Sequence, residues 1–224
     1  MMPSPDSAEE DARHQQVRDA ATQLSMPATD AQIQVLLRFV DLLKRWNGTY
    51  NLTAVRAGDD MLVQHLYDCM AVIPALLRAV GDGGGRILDV GSGAGLPGLV
   101  IAVFRPDLEV TCVDAVGKKA AFVQQCSFEL GLKNLRVVHS RVENLRIEPV
   151  DMVTSRAFAS LKDFVRLSSG CLKEAGLWVA MKGKFPAVEA EELPKEVELF
   201  HVEQLCVPHQ TADRCLIWMR RRVH

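Results

Sequence analysis

The stretch Arg86-Ile87-Leu88-Asp89-Val90-Gly91-Ser92-Gly93-Ala94-Gly95-Leu96-Pro97-Gly98 decides how this chain folds. Ile87, Leu88 and Val90 make a short apolar run that stops at Gly91. Glycines then alternate at 91, 93 and 95, and an apolar run resumes at Leu99. The pattern predicts a buried strand, a tight loop and a helix entrance. Pro97 suits a first helical turn, where its missing N–H is not needed. Without Cβ atoms, the glycines let the backbone approach a ligand closely. Such a loop after a strand is a cofactor cradle.

Outward from it, strands and helices alternate. Strands are predicted at 86–90, 108–114, 135–139, 150–154 and 176–182, and helices at 98–104, 118–131, 160–173 and 186–193. Alternation of this kind predicts an α/β fold with a mostly parallel sheet covered on both faces. Two strand-like stretches, 197–207 and 214–221, close the chain with no helix between them, so a C-terminal antiparallel hairpin is expected. Before the loop, residues 1–12 are rich in Pro, Ser and acids and read as disordered, and 13–24 as helical. A stronger helix starts after Thr29 or Asp30, with Ile33, Leu36, Leu37, Val40 and Leu43 on one face. A further helical stretch runs from Asp59 or Asp60 to about Val80, broken near Pro74. The division expected is a flexible or partly helical segment (1–28), an N-terminal helical extension (29–85) and a cofactor-binding domain (86–224).

The cofactor is read from the glycine spacing. Gly93, Gly95 and Gly98 satisfy the dinucleotide pattern G-x-G-x-x-G, and Asp114 follows about twenty residues on. The same residues fit Asp-x-Gly-x-Gly-x-Gly from Asp89, which resembles motif I of S-adenosylmethionine-dependent methyltransferases. In the dinucleotide version the first glycine sits at the strand end. Here that glycine is Gly91, which puts Leu96 in the third glycine position. A parallel sheet ending in a hairpin also resembles the seven-strand, Rossmann-like methyltransferase sheet. Both favour S-adenosylmethionine.

Composition narrows the class. With 48% apolar and 24% charged residues the chain reads as a soluble globular protein. No apolar run reaches the roughly 18 residues needed to span a bilayer. The first residues lack a basic region before an apolar core, so no secretory signal is expected. Cys69, Cys112, Cys126, Cys171, Cys206 and Cys215 form no C-x-x-C pair and read as buried, reduced thiols of a cytoplasmic protein. A net charge of −2 neither announces nor excludes a nucleic-acid partner.

Several positions are suited to chemistry. Asp114, ending the second strand, can accept both hydroxyls of a ribose. Val142 and Glu143 follow the third strand, where an adenine edge would lie. Around Thr154-Ser155-Arg156 there is no Asn/Asp-Pro-Pro-Tyr/Phe stretch for amine methylation, no cysteine placed for attack on a pyrimidine, and no acid cluster for a metal. What remains is a target already nucleophilic, such as guanine N7, where catalysis is orientation and electrostatics. Arg156 is expected to hold the cofactor carboxylate or the target base. Lys118, Lys119, Arg141, Lys162, Lys182 and Lys184 fall at strand ends on one rim, a phosphate-facing surface; Arg220-Arg221-Arg222 adds a weak signal. His65 and Asp68 share a helix face and suit structural or cofactor-closing roles.

Together these stretches resemble one family, the bacterial small-subunit rRNA guanine-N7 methyltransferases (RsmG, also GidB). The matching residues are Trp46-Asn47 with Tyr50 to Thr53, His65 with Asp68, Asp89 to Gly98, Asp114 with Gly117-Lys118-Lys119, Ser140 to Glu143, Ser155 to Ser160 and Lys182-Gly183. A departure in length from relatives is expected only in the segment between Glu143 and Ser155. The resemblance implies methyl transfer from S-adenosylmethionine to N7 of one guanine in the decoding region of 16S rRNA, by a monomer acting on the RNA or on a small-subunit particle. By position, Gly91 and Leu96 would contact the cofactor, with Gly93 and Gly95 in the same loop. Val142 and Glu143 would meet its adenosine end, Asp114 its ribose, and Arg156 would complete the site, with no general base. Other readings stay open: methylation of a small molecule or protein, a cofactor sensor, or a nicotinamide oxidoreductase. The last lacks a Tyr-x-x-x-Lys pair, since the only tyrosines are Tyr50 and Tyr67.

Overall fold

A computed structural model describes residues 5–50, 52, 62–81, 83–156 and 158–222. Asn51, Thr53, the start expected at Asp59 or Asp60, and Ala157 lie outside the described residues. Two long helices come first, α1 (Pro5–Gln23) and α2 (Asp30–Tyr50). Helix α1 begins well inside the segment expected to be disordered, because its acids sit where the helix dipole favours them and α2 supplies partners. Arg13 pairs with Asp41 at 2.8 Å, and Val17 and Ala20 are buried. Helix α2 opens on a capping box. The Gln32 amide donates to Thr29 Oγ1 (3.2 Å), while Gln32 Oε1 accepts from the Thr29 amide (3.0 Å). Its apolar face is buried, as its periodicity predicts.

A π-helical turn (Leu62–Tyr67) runs into a single turn α3 (Asp68–Met70), then α4 (Ile73–Val80). The break falls at Ala71-Val72, which leaves Pro74 in the first turn of α4, where it costs no hydrogen bond.

The sheet comprises β1 (Gly85–Val90), β2 (Leu108–Asp114), β3 (Leu135–His139), β4 (Val150–Ser155), β5 (Leu172–Lys182), β6 (Val197–Leu205) and β7 (Arg214–Arg221). Their order is β3-β2-β1-β4-β5-β7-β6. The five strands on the β3 side are mutually parallel; β7 pairs antiparallel with β5 and with β6. The hairpin is present, with β7 inside and β6 at the edge. Cys215 to Met219 are all buried, whereas β6 is half polar and tolerates an open edge. Strand β5 starts four residues before the expected 176, because the helix expected to reach 173 ends at Ser168. There Trp178 Nε1 donates to Ser168 Oγ and a short 3-10 turn follows.

Helices α5 (Gly98–Phe104) and α6 (Gly117–Glu129) cover one face, with α1 to α4 packed outside them in one continuous core; α7 (Leu161–Ser168) covers the other face. Phe122 of α6 joins the faces of α2, with ring centroids 6.2 Å from Phe39 and 5.4 Å from Trp46. A short α8 (Ala187–Glu191) precedes β6. Five cysteines are buried as expected, but Cys206 is exposed, since it lies just past the edge strand. Among the described residues no helix is long and apolar enough to cross a membrane. Strand order reverses between β1 and β4, so a ligand crevice is expected beyond their carboxyl ends.

Candidate active site

The loop after β1 folds back over the end of β2: the Gly91 and Ser92 amides both donate to Val113 O. Gly91, Gly93 and Gly95 take φ values of 64°, 58° and 85°, a region that side chains resist. Their surroundings divide them. A Cβ at Gly91 would meet nothing within 4 Å, and at Gly93 only Gly91 O at 4.0 Å. At Gly95 it would meet Val123 at 3.0 Å, and at Gly98 the Cys112 sulfur at 2.5 Å. The first two glycines keep the open face of the loop bare. The last two let α5 and α6 pack closely. Leu96 is buried in the core, so it and Gly95 face inward. Pro97 stands one position earlier than expected, at the N-cap of α5 after a cis peptide bond.

Beside Gly91 lies a cavity of about 200 Å³ lined by Val90, Asp114, Ser140, Arg141, Val142, Glu143, Phe158 and Leu167, among others. Asp114 is buried and held by backbone. Its Oδ2 accepts from the Gly93 amide (2.9 Å) and its Oδ1 from the Val116 amide (2.8 Å). Two bonds leave a carboxylate with free lone pairs for a diol. Val142, buried in a 3-10 turn, and Phe158, packed on Phe164 at 5.7 Å between centroids, give the cavity apolar walls. An acid beside an apolar slot fits a nucleoside. Glu143 is only partly covered, 3.8 Å from Arg141.

Asp89, fully buried, supports this loop from beneath. The Gly98 amide donates to its Oδ2 at 2.8 Å, yet Oδ1 has no partner. Burial pushes its pKa up to about 7, against the pull of the Gly98 amide and of Arg156. Buried acceptors are normally hydrogen-bonded, so this orphan oxygen fits a donor group on a bound ligand. Sequence reasoning used Asp89 only to anchor a motif.

Beyond the ends of β4 and β5 lies a second cavity, of about 380 Å³, lined by Asp68, Arg156, Met181, Lys182, Gly183 and Arg214. Arg156 borders this cavity, and Phe158, two residues on, borders the first. Arg214 Nε donates to Asp68 Oδ1 (2.7 Å), and Arg156 lies 3.9 Å from Asp68 Oδ2. Arg156 also reaches His65 Nδ1 at 3.4 Å. A guanidinium only donates, so that nitrogen accepts and the neutral ring carries its proton on Nε2, which is buried without a partner. Burial first, and then Arg156, lower the His65 pKa to about 4. His65 and Asp68 therefore join Arg156 in one cluster, completed by Arg214, which nothing local in the sequence marked.

The cationic rim divides as well. Lys182 is drawn inward onto Glu189 (2.9 and 3.1 Å), and Glu189 also accepts from the Leu161 amide. Lys118 is exposed but donates to Tyr50 O, and Lys184 stands 4.0 Å from Asp213. Arg141 and Lys162 are exposed and Lys119 half-buried.

Solved structures with similar folds include methyltransferases. One is the Burkholderia thailandensis 1,6-didemethyltoxoflavin-N1-methyltransferase with bound S-adenosylhomocysteine (TM-score 0.58, 14% identity, 83% of this chain and 90% of that one). Another is TrmN from Thermus thermophilus (TM-score 0.53, 21% identity, 67% and 48%). At these identities the likeness is one of fold. Sequence relatives are much nearer. Proteins named ribosomal RNA small subunit methyltransferase G from Leptothrix cholodnii and Acidovorax ebreus are 52% and 50% identical, over 90% and 91% of this chain and 93% of each relative. The family model GidB, described as rRNA small subunit methyltransferase G, matches residues 32–217, from the first turn of α2 to the middle of β7. The chain belongs to the GidB family.

Proposed function

We propose that this protein transfers a methyl group from S-adenosylmethionine to N7 of a guanine in 16S rRNA. The observation that carries the reading is a pair of cavities at the carboxyl ends of the strands: one beside Gly91 with Asp114 and apolar walls, bordered by Phe158, and a charged one bordered by Arg156. S-adenosylmethionine, when bound, supplies an electrophilic methyl carbon. The chain's own residues position the reactants. Asp114 accepts the ribose hydroxyls, Val142 and Phe158 enclose the adenine, and the bare face of Gly91 and Gly93 admits the rest. Asp89 accepts from a donor group of the cofactor, and Arg156 faces the target base from the second cavity. No residue is required to remove a proton, because guanine N7 attacks through a free lone pair. Orientation and electrostatics suffice. The substrate is the RNA or a small-subunit particle, taken by a cytoplasmic monomer.

The test incubates the purified protein with methyl-labelled S-adenosylmethionine and unmethylated small-subunit particles, then analyses the nucleosides. Label in 7-methylguanosine is the expected outcome. Label in another nucleoside, or in protein alone, would overturn the reading.

A further inference from the structure

The chemistry of N7 methylation restricts how the target base is held. Arginine or lysine contacts to guanine usually engage O6 and N7 together. Here the N7 lone pair is consumed, forming the N–C bond while the S–CH3 pair returns to sulfur. No proton leaves, and positive charge moves onto the purine. The base has to be gripped from its opposite edge, where N1–H and the N2 amine are donors and O6 is an acceptor. Such an edge needs an acceptor flanked by a cation.

The second cavity offers that arrangement. Among the described residues that line it, Asp68 is the one acid, beside Arg156 and Arg214. Arg214 Nε occupies one lone pair of Oδ1 at 2.7 Å. Arg156, 3.9 Å from Oδ2, is beyond hydrogen-bond distance. A carboxylate accepts about four hydrogen bonds, so Asp68, largely buried but bordering the cavity, keeps lone pairs on Oδ2 for further donors. We propose that Asp68 reads the target guanine, accepting from N1–H and the N2 amine while Arg156 donates to O6 and N7 stays free. The proposal rests on the guanine-N7 reading above.

Two consequences follow from charge. Adenine would turn its bare N1 toward the Asp68 carboxylate, a repulsive contact that rejects it. As positive charge grows on the purine, N1–H becomes a stronger donor. Its bond to Asp68 then tightens in the transition state, the condition for raising rate rather than affinity alone.

A merely structural Asp68 would serve to tie α3 to β7 through Arg214. The test separates the two roles with small-subunit particles carrying guanine or inosine at the methylated position, since inosine lacks the N2 amine. Wild-type kcat/KM is expected to fall about tenfold on inosine, the worth of one hydrogen bond to a charged group. In Asp68→Asn that penalty disappears. The guanine-to-inosine ratio within one variant does not depend on how much of it is folded. Asp68→Glu keeps an ion pair with Arg214 but displaces the carboxylate. It is expected to bind S-adenosylmethionine normally and lose at least tenfold in kcat on guanine. An equal inosine penalty in wild type and Asp68→Asn, no penalty in wild type, or full activity in Asp68→Glu each overturns the proposal. Wild-type protein that methylates no guanine overturns the underlying reading instead.

Discussion

The backbone amide of Gly98 donates to Asp89 Oδ2 at 2.8 Å, which ties the first residue of α5 to the end of β1 across the glycine loop. Nothing larger than glycine fits at that contact. A Cβ on residue 98 would lie 2.5 Å from the Cys112 sulfur and 2.9 Å from Asp89 Oδ2. Gly98→Ala is expected to destabilise the fold by about 1–3 kcal/mol through overpacking, read from denaturant midpoints. Gly91→Ala meets no atom but is strained by its positive φ. It should cost about 1–2 kcal/mol and also weaken S-adenosylmethionine binding, which Gly98→Ala would do only through the fold. Gly93→Val combines a β-branched side chain with a φ of 58° and is expected to lose both stability and cofactor affinity.

Asp114→Asn is a test of the nucleoside site. Both carboxylate oxygens accept from backbone amides, so an amide NH2 would face a second donor. We expect S-adenosylmethionine affinity to fall about tenfold to a hundredfold, as for a lost charged hydrogen bond and a loosened loop. Calorimetric titration checks this, and unchanged affinity would remove Asp114 from the ribose.

His65 makes stability depend on pH. Its folded pKa, about 4, lies below the ordinary 6.5, so the unfolded chain takes up the proton first. The stability it contributes is present above pH 6.5 and is lost as pH falls toward 4, about 3 kcal/mol at most. Asp89, raised to about 7, has the opposite slope: its contribution is present below pH 3.8 and is lost as pH rises through 7. His65→Gln should therefore lose less stability than wild type between pH 6.5 and 4 in parallel denaturation series. Equal slopes would place His65 outside the buried cluster.

Lys182 and Lys162 should behave differently. Lys182→Ala strands Glu189 and is expected to lower the melting temperature. Lys162, exposed at the start of α7, should leave stability unchanged when replaced by Ala, while the salt slope of RNA binding drops by about one if it meets a phosphate. An unchanged slope takes Lys162 off the RNA face.

Asp89 should link cofactor affinity to pH. If its free oxygen meets a cationic group, S-adenosylmethionine binds more tightly as pH rises through about 7 and the carboxylate ionises. Asp89→Asn, which still accepts from Gly98, should bind with a flat pH profile across that range.

The sequence by itself determined the parallel sheet, the glycine loop, the final hairpin and the placing of Asp114, Val142, Glu143 and Arg156 at strand ends. Those features are written in local patterns: apolar runs of strand length, glycines at a strand end, and an acid closing the next strand. Tertiary structure decided what no local pattern encodes. Asp68 and Arg214 are 146 residues apart and meet because β7 returns antiparallel beside β5, bringing its first residue to the strand-end rim. Lys182 looked like a free cation until the fold set Glu189 beside it. The alternate glycines of one motif took different tasks because Val123 and Cys112 approach only two of them. Helix α1 formed through acidic residues because α2 lay ready to pair with it. In each case the deciding energy comes from a contact between segments distant in sequence, whose partner is set only when the sheet is assembled.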